Sequence, residues 1–282
     1  MRPPLPVRDG LGPARLRLQG GNVADEFGRR FGPEARAKVL AGEVVDSRGA
    51  VLDASTVLPA GALVYHYRDL RDEVEVPFEI PVIHRDDNIV VVDKPHFLAT
   101  MPRGRHVAQT ALVRLRRELK LPDLSPAHRL DRLTAGVLLF TVRPEVRGAY
   151  QTLFARGKVN KTYLAHSSAA VEVVLPQTVR NRIVKRRGEL QAVVEPGEPN
   201  AETVVESLGD RWYRLTPRTG RTHQLRVHMA GLGLPIDNDP LYPAVVDVDV
   251  DDFTRPLGLI AHRLGFDDPM TGERRDFVSS RA

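Results

Sequence analysis

The sequence contains no cysteine. Disulfides, thiolate nucleophiles and cysteine-based zinc sites are therefore excluded. Long apolar runs are missing too, and none approaches the roughly 18 to 20 residues that span a bilayer. The opening Met1-Arg2-Pro3-Pro4-Leu5-Pro6 lacks the apolar stretch a signal peptide needs. A soluble, cytoplasmic protein is the expectation. There is little excess charge of either sign: 41 Lys and Arg stand against 36 Asp and Glu, a net +5. That balance alone does not demand a nucleic-acid partner, but the basic residues come in clusters, which says more. Internal repeats and a Rossmann glycine fingerprint are also lacking, which counts against solenoids and dinucleotide binding.

What is present is a chain of 282 residues, long enough for one large domain and a small one. Residues 1–13 hold four prolines and two glycines, and they read as an extended, poorly ordered arm. Residues 14–70 read as a small α/β unit, with a strand over 14–18 and a helix from Val23 capped by Asn22. A second helix spans 34–41, closed by Gly42, and strands follow over 43–45 and 62–67. Residues 71–79, acidic at first, read as a linker. A larger unit, 80–282, follows. It has buried strands over 89–92 and 136–142, an amphipathic helix over 110–119, and a helix opened by Pro144. Strands over 162–165, 203–207 and 213–216 precede a helix over 223–230, with Thr222 as its cap. Strands outnumber helices and do not alternate with them, so the fold class is α+β with a mixed sheet.

Three segments place polar residues beside short apolar elements. The first, His128-Arg129-Leu130-Asp131-Arg132-Leu133-Thr134-Ala135-Gly136, runs into an apolar strand. Asp131 lies between two leucines, so an apolar setting is expected, in which a carboxylate stays ionised only beside a cation or donors. In the second, Lys161-Thr162-Tyr163-Leu164-Ala165, strand alternation puts Lys161 and Tyr163 on one face. An aromatic on a cleft wall is a stacking platform for a base. The third is Gly220-Arg221-Thr222-His223-Gln224-Leu225-Arg226-Val227-His228, where a glycine permits close approach and a helix start offers N–H groups to phosphate. Arg226 is one candidate for the cation Asp131 needs. The run from Arg180 to Arg187 has five cations and no acid, the pattern of a solvated loop or a phosphate contact. Arg114, Arg116 and Arg117 form a second cluster. His223 and His228 are five apart rather than the helical four, with no carboxylate partner evident, so no metal site is expected.

Together these segments resemble the RluA-type family of pseudouridine synthases over roughly residues 80–275. The resemblance also takes in Asn88-Ile89-Val90-Val91-Val92-Asp93-Lys94-Pro95, Asp239-Pro240-Leu241-Tyr242 and Pro269-Met270-Thr271-Gly272-Glu273. It implies a mixed, largely antiparallel sheet with a central RNA-binding cleft. It further implies Asp131 as the catalytic aspartate, Tyr163 as the tyrosine that packs on the target base, and Arg226 as the arginine paired with the aspartate. Arg129, Arg132, Thr134, Gly220, Arg221, Thr222, His223 and Gln224, with Arg182, Lys185 and Arg186 of the basic run, become the candidate substrate contacts. Residues 14–70 resemble a divergent αL-type RNA-binding module. Ala135, Asn238 and Ile260 stand where the family usually has serine, glycine and histidine.

The implied reaction converts uridine in ribosomal or transfer RNA to pseudouridine. It is an isomerisation, so no cofactor is expected, and the expected partner is RNA, bound by a monomer. Asp131 either attacks the sugar or removes a sugar proton; the residues do not decide between these. A non-catalytic RNA-binding or ribosome-assembly protein would use the same cleft, but has no need of a carboxylate among phosphates. A metal-dependent nuclease would need clustered carboxylates that the sequence lacks.

Overall fold

The computed structural model describes residues 3–69, 72–170 and 173–281. The chain divides between Asp72 and Glu73 into two compact units. In the first, β1 (Ala14–Arg17), β5 (Leu63–His66) and β3 (Val45–Asp46) form a three-stranded antiparallel sheet, and β2 (Gly21–Asn22) pairs with β4 (Val57–Leu58). Helix α1 (Val23–Phe31) begins where Asn22 accepts the N–H of Asp25, and α2 (Pro33–Leu40) begins at a proline. Val23, Ala24, Phe27, Val39 and Val64 close a separate core.

The expected arm and linker are both more ordered than composition suggested. Within residues 3–13, Arg8 and Leu11 bridge each other, the Tyr67 hydroxyl donates to the carbonyl of Pro6, and Arg8 stacks over that ring. In the segment expected as a linker, the Glu73 carboxylate accepts the N–H groups of Val107, Ala108 and Gln109. Val76 and Ile80 are buried in the larger unit's core. These acid and apolar residues were spent on packing, which a composition shift cannot reveal. Leu70 and Arg71, the ends of the expected module and linker, lie outside the described residues.

The larger unit is built on an eleven-stranded sheet. Its elements are β6 (Val82–Arg85), β7 (Ile89–Lys94), α3 (Ala111–Glu118), β8 (Ser125–Pro126), β9 (Ala135–Thr141), α4 (Pro144–Ala155) and β10 (Asn160–His166). There follow β11 (Gln177–Val184), β12 (Val193–Glu195), β13 (Ala201–Gly209), β14 (Trp212–Pro217), α5 (Gln224–Gly231), β15 (Leu259–Asp267) and β16 (Arg274–Val278). The order β12-β11-β13-β14-β10-β15-β9-β7-β6 is antiparallel except where β15 runs parallel to β9. The fold is α+β with a mixed, largely antiparallel sheet, as the resemblance implied.

Central position explains the sequence of β7 and β9. Both are covered on two faces, so they read as continuous apolar runs rather than alternations. The α3 face of Ala111, Leu112 and Leu115 joins Val90, Val92 and Leu138 on one side of the sheet. On the other side Val146 and Tyr150 of α4 meet Ile89, Val91 and Leu139. Gly136, at φ 109°, sits where β9 meets β15: a Cβ there would lie 2.2 Å from the carbonyl oxygen of Ala261. Only glycine allows that approach, and it sets the strand that follows the Asp131 turn.

Two expectations about basic residues change. Residues expected as a solvated loop extend the sheet: Arg180 and Arg182 lie in β11, paired to β13 and β12. Two of the three arginines of the second cluster hold the fold. Arg114 donates to the carbonyl of Val76 and Arg116 to that of Leu124.

Candidate active site

Asp131 lies in the turn between β8 and β9, and four groups hold that turn. The Thr100 hydroxyl donates to the carbonyl of Leu130 and accepts its N–H. The Thr134 N–H donates to the carbonyl of Asp131 itself. The ring of His96 bonds the carbonyl of Leu133 at 2.7 Å. Beneath them the fully buried Lys94 ammonium donates to the carbonyls of Pro95, Leu98 and Arg132. Burial pushes the Lys94 pKa well down, and the charge of Asp131 opposes that. Nothing in the local sequence marks Lys94 as the buried post of the turn.

The turn presents Asp131 to a cavity of about 650 Å³. Tyr163 lines it from β10 and Arg226 from α5, so the three expected catalytic residues meet at one cavity. Arg129, Thr134, Gly220, Arg221, Thr222, His223 and Gln224 line it as well. Of the other candidate contacts, Arg132, Arg182, Lys185 and Arg186 do not. Arg132 donates to the carbonyls of Phe97 and Val250, and Lys185 to that of Glu189. Arg186 pairs with Glu195, and Arg182 packs over Gly197. A charge run does not show which of its members already have partners.

The setting of Asp131 differs from its leucine neighbours' suggestion. Leu130 is buried, but the Asp131 side chain is 37% exposed, opening into the cavity. Strand and turn geometry turns the leucines inward and the carboxylate outward. Arg226 also departs from the expected pairing. Its Nη1 stands 3.8 Å from an Asp131 oxygen, an ion pair without a hydrogen bond. Its Nε and Nη2 instead grip both oxygens of Asp239, at 2.7 and 2.5 Å. Burial opposes the Arg226 charge, but the Asp239 hydrogen bonds and charge outweigh it, with Asp131 adding, so its pKa is raised.

His223 is the cap of α5 rather than its first residue, and Thr222 is not the cap. At φ 59° His223 is left-handed, which turns its ring into the cavity. Its Nε2 lies 4.0 Å from Asp131, and its Nδ1 meets the Tyr242 hydroxyl at 2.9 Å. Burial lowers its pKa below the usual histidine value, with Asp131 opposing and Arg226 and Lys185 adding. The N–H groups expected to await phosphate are partly spent. The Gln224 side chain accepts the Arg221 N–H and the Thr219 hydroxyl, and donates to the Glu202 carbonyl and the Thr203 hydroxyl. Gln224 therefore braces the loop. Gly220 faces open space: a methyl group in its place would meet only Lys161 Nζ, at 3.9 Å.

Tyr163 forms the floor. It packs against two neighbouring buried clusters, one holding Leu138 and the other Leu215 and Leu259. Burial, then the Asp131 charge, raises its pKa, so its hydroxyl stays protonated at neutral pH. At the far end His128 stacks on Phe154, ring centroids 4.4 Å apart, and its Nε2 accepts the N–H of Leu139. Burial, with the Lys161 charge, pushes its pKa down to about 3. The arrangement offers an ionisable carboxylate, a fixed guanidinium and an apolar ring facing a pocket of nucleotide size.

The family described as RNA pseudouridylate synthase matches residues 88–231, just over half of the chain. The chain is 27% identical over 286 residues to the ribosomal large subunit pseudouridine synthase D of Pseudomonas aeruginosa, covering 92% of this chain and 88% of that protein. It is 32% identical over 200 residues to the mitochondrial tRNA pseudouridine(32) synthase of Saccharomyces cerevisiae. That match takes in 67% of this chain but 43% of the yeast protein. Among solved structures, human RNA pseudouridylate synthase domain containing 1 aligns with a TM-score of 0.56 at 24% identity, over 71% of this chain and 83% of that one.

Proposed function

This chain belongs to the RluA-type family of RNA pseudouridylate synthases and is an isomerase of uridine in RNA; on that premise we propose that Asp131, Tyr163 and Arg226 carry the reaction. The observation behind this reading is their convergence on one cavity, with the Asp131 carboxylate exposed and Arg226 Nη1 3.8 Å away. The N1–C1′ bond of uridine breaks, uracil turns, and a C5–C1′ bond forms. The C5 proton leaves and N1 gains a proton, so atoms and electrons balance within the substrate. Asp131 acts on the ribose, as nucleophile at C1′ or as base for a sugar proton. Tyr163 holds the detached uracil against its ring. Arg226 keeps negative charge tolerable at Asp131 without tying up its oxygens.

The uridine must leave its stack to reach the cavity, so a loop or an easily opened helix is the substrate. Ribosomal RNA is the proposed primary target, by similarity to the Pseudomonas protein, whose match runs along most of both chains; transfer RNA is the second. Residues 14–70 act as the RNA-binding module. Arg15, Arg17, Arg29 and Arg36 are exposed on that unit, which fits a phosphate-facing surface. The protein acts in the cytoplasm as a monomer. Mapping pseudouridines lost in a deletion strain tests the target, and loss of none from ribosomal or transfer RNA would overturn it.

A further inference from the structure

Two carboxylates compete for Arg226, and the one that holds it is not the one that opens into the cavity. We propose that Asp239 is the positioning residue of this active site, and that the turn Asp239-Pro240-Leu241-Tyr242 sets both nitrogenous groups that face Asp131. The inference rests on the isomerase reading above.

The Asp239 side chain is 1% exposed and Arg226 3%. Besides the two bonds to Arg226, the Oδ1 of Asp239 accepts the N–H groups of Leu241 and Tyr242, at 2.8 and 3.1 Å. Four donors therefore fix this carboxylate. A guanidinium is a rigid planar fork, so occupying Nε and Nη2 also fixes the direction of Nη1. That remaining nitrogen is the one that faces Asp131. A direct two-point pair between Arg226 and Asp131 would occupy both oxygens that the chemistry needs. Asp239 removes that option by taking the matching edge of the fork.

The same turn reaches the second group. Its last residue, Tyr242, lies under Arg226, with the guanidinium carbon 5.3 Å from the ring centre. The Tyr242 hydroxyl bonds His223 Nδ1, and it is itself anchored by the N–H and carbonyl of Ala192. His223 Nε2 is thereby held toward Asp131. Asn238, before the turn, is left-handed at φ 59°, a conformation asparagine tolerates nearly as glycine does. It therefore enters this turn without the glycine usual there.

Asp239→Asn in the full chain tests the proposal, with RNA isomerisation as the readout. We expect kcat to fall about 10- to 100-fold, as for partners that orient a reacting group, with KM within about threefold. Assay well below the melting temperature separates this from unfolding. Asp239→Glu keeps the charge but moves the carboxylate one methylene, and its kcat should fall between those of Asp239→Asn and the wild type. Combining Asp239→Asn with Arg226→Lys should cost less than the product of the single losses, because both act through one guanidinium. A folded Asp239→Asn protein with wild-type kcat overturns the proposal, as does full additivity. If Asp239→Asn does not fold, wild-type kcat in folded Asp239→Glu does the same. Wild-type protein in the same assay keeps the two ideas apart: its inactivity would sink the isomerase reading instead.

Discussion

The Asp131 and Asp239 turns present carboxylates to opposite edges of one guanidinium, and they use them in contrary ways. Asp239 is sealed, accepting two hydrogen bonds from Arg226 and two from its own turn. Asp131 is 37% exposed, and its turn is held through backbone carbonyls while the carboxylate itself is left without a hydrogen bond from Arg226. The difference teaches how a site can be both rigid and reactive. Rigidity comes from satisfied groups, and reactivity from the one group left open.

The largest expected effect comes from closing that open group. Asp131→Asn should lower turnover at least about a thousandfold, since the amide is neither a nucleophile nor a base. RNA affinity should stay within about tenfold, because phosphate contacts dominate it. The melting temperature should move by no more than about 2 °C, as for an exposed site. A marked loss of stability would break the comparison by making Asp131 structural like Asp239.

Tyr163 sharpens the contrast next. Tyr163→Leu should reduce kcat about a hundredfold by removing the ring that holds the base, while Tyr163→Phe keeps the stacking face and much of the binding. Steady-state kinetics on both variants decide it. A fully active leucine variant would remove the stacking role.

A third test concerns a half-buried group at the cavity, His128. Its folded pKa of about 3 lies below the ordinary value, so the native state binds fewer protons than the unfolded chain in acid. Its contribution is thus fully present above about pH 6.5 and is lost as pH falls toward 3, at up to about 1.4 kcal/mol per unit. Urea midpoints measured at pH 7, 6 and 5 should fall more steeply for the wild type than for His128→Gln. Equal slopes would place the histidine in an open setting.

The smallest effect separates a cation at the cavity, Arg221, whose Nε donates to the Asn200 carbonyl, from one held by a carboxylate. Arg221 lines the cavity, whereas Arg186 is paired with Glu195. Arg221→Gln should lower the salt slope of RNA binding by about one, while Arg186→Gln changes affinity less than about twofold. Equal effects would show that the carboxylate does not hold Arg186 back from RNA.

Much of this was legible along the chain. The apolar runs of β7 and β9, the Asn22 cap of α1, the proline opening α4 and the alternation placing Lys161 beside Tyr163 all depend on neighbours within a few residues. So does the order of motifs that named Asp131, Tyr163 and Arg226. What depended on distant partners was not legible. The long strand β15 is recognised only by what flanks it, and residues 180–184 of the basic run became part of β11 through pairing with β13 and β12. Whether a carboxylate between leucines is buried, and which of two aspartates thirteen or ninety-five residues from Arg226 grips it, was decided only in the fold. Local sequence specifies backbone periodicity and residue chemistry. The hydrogen-bond partner of a buried charge is settled by which segments the sheet brings together, since an unpaired charge there is too costly to keep.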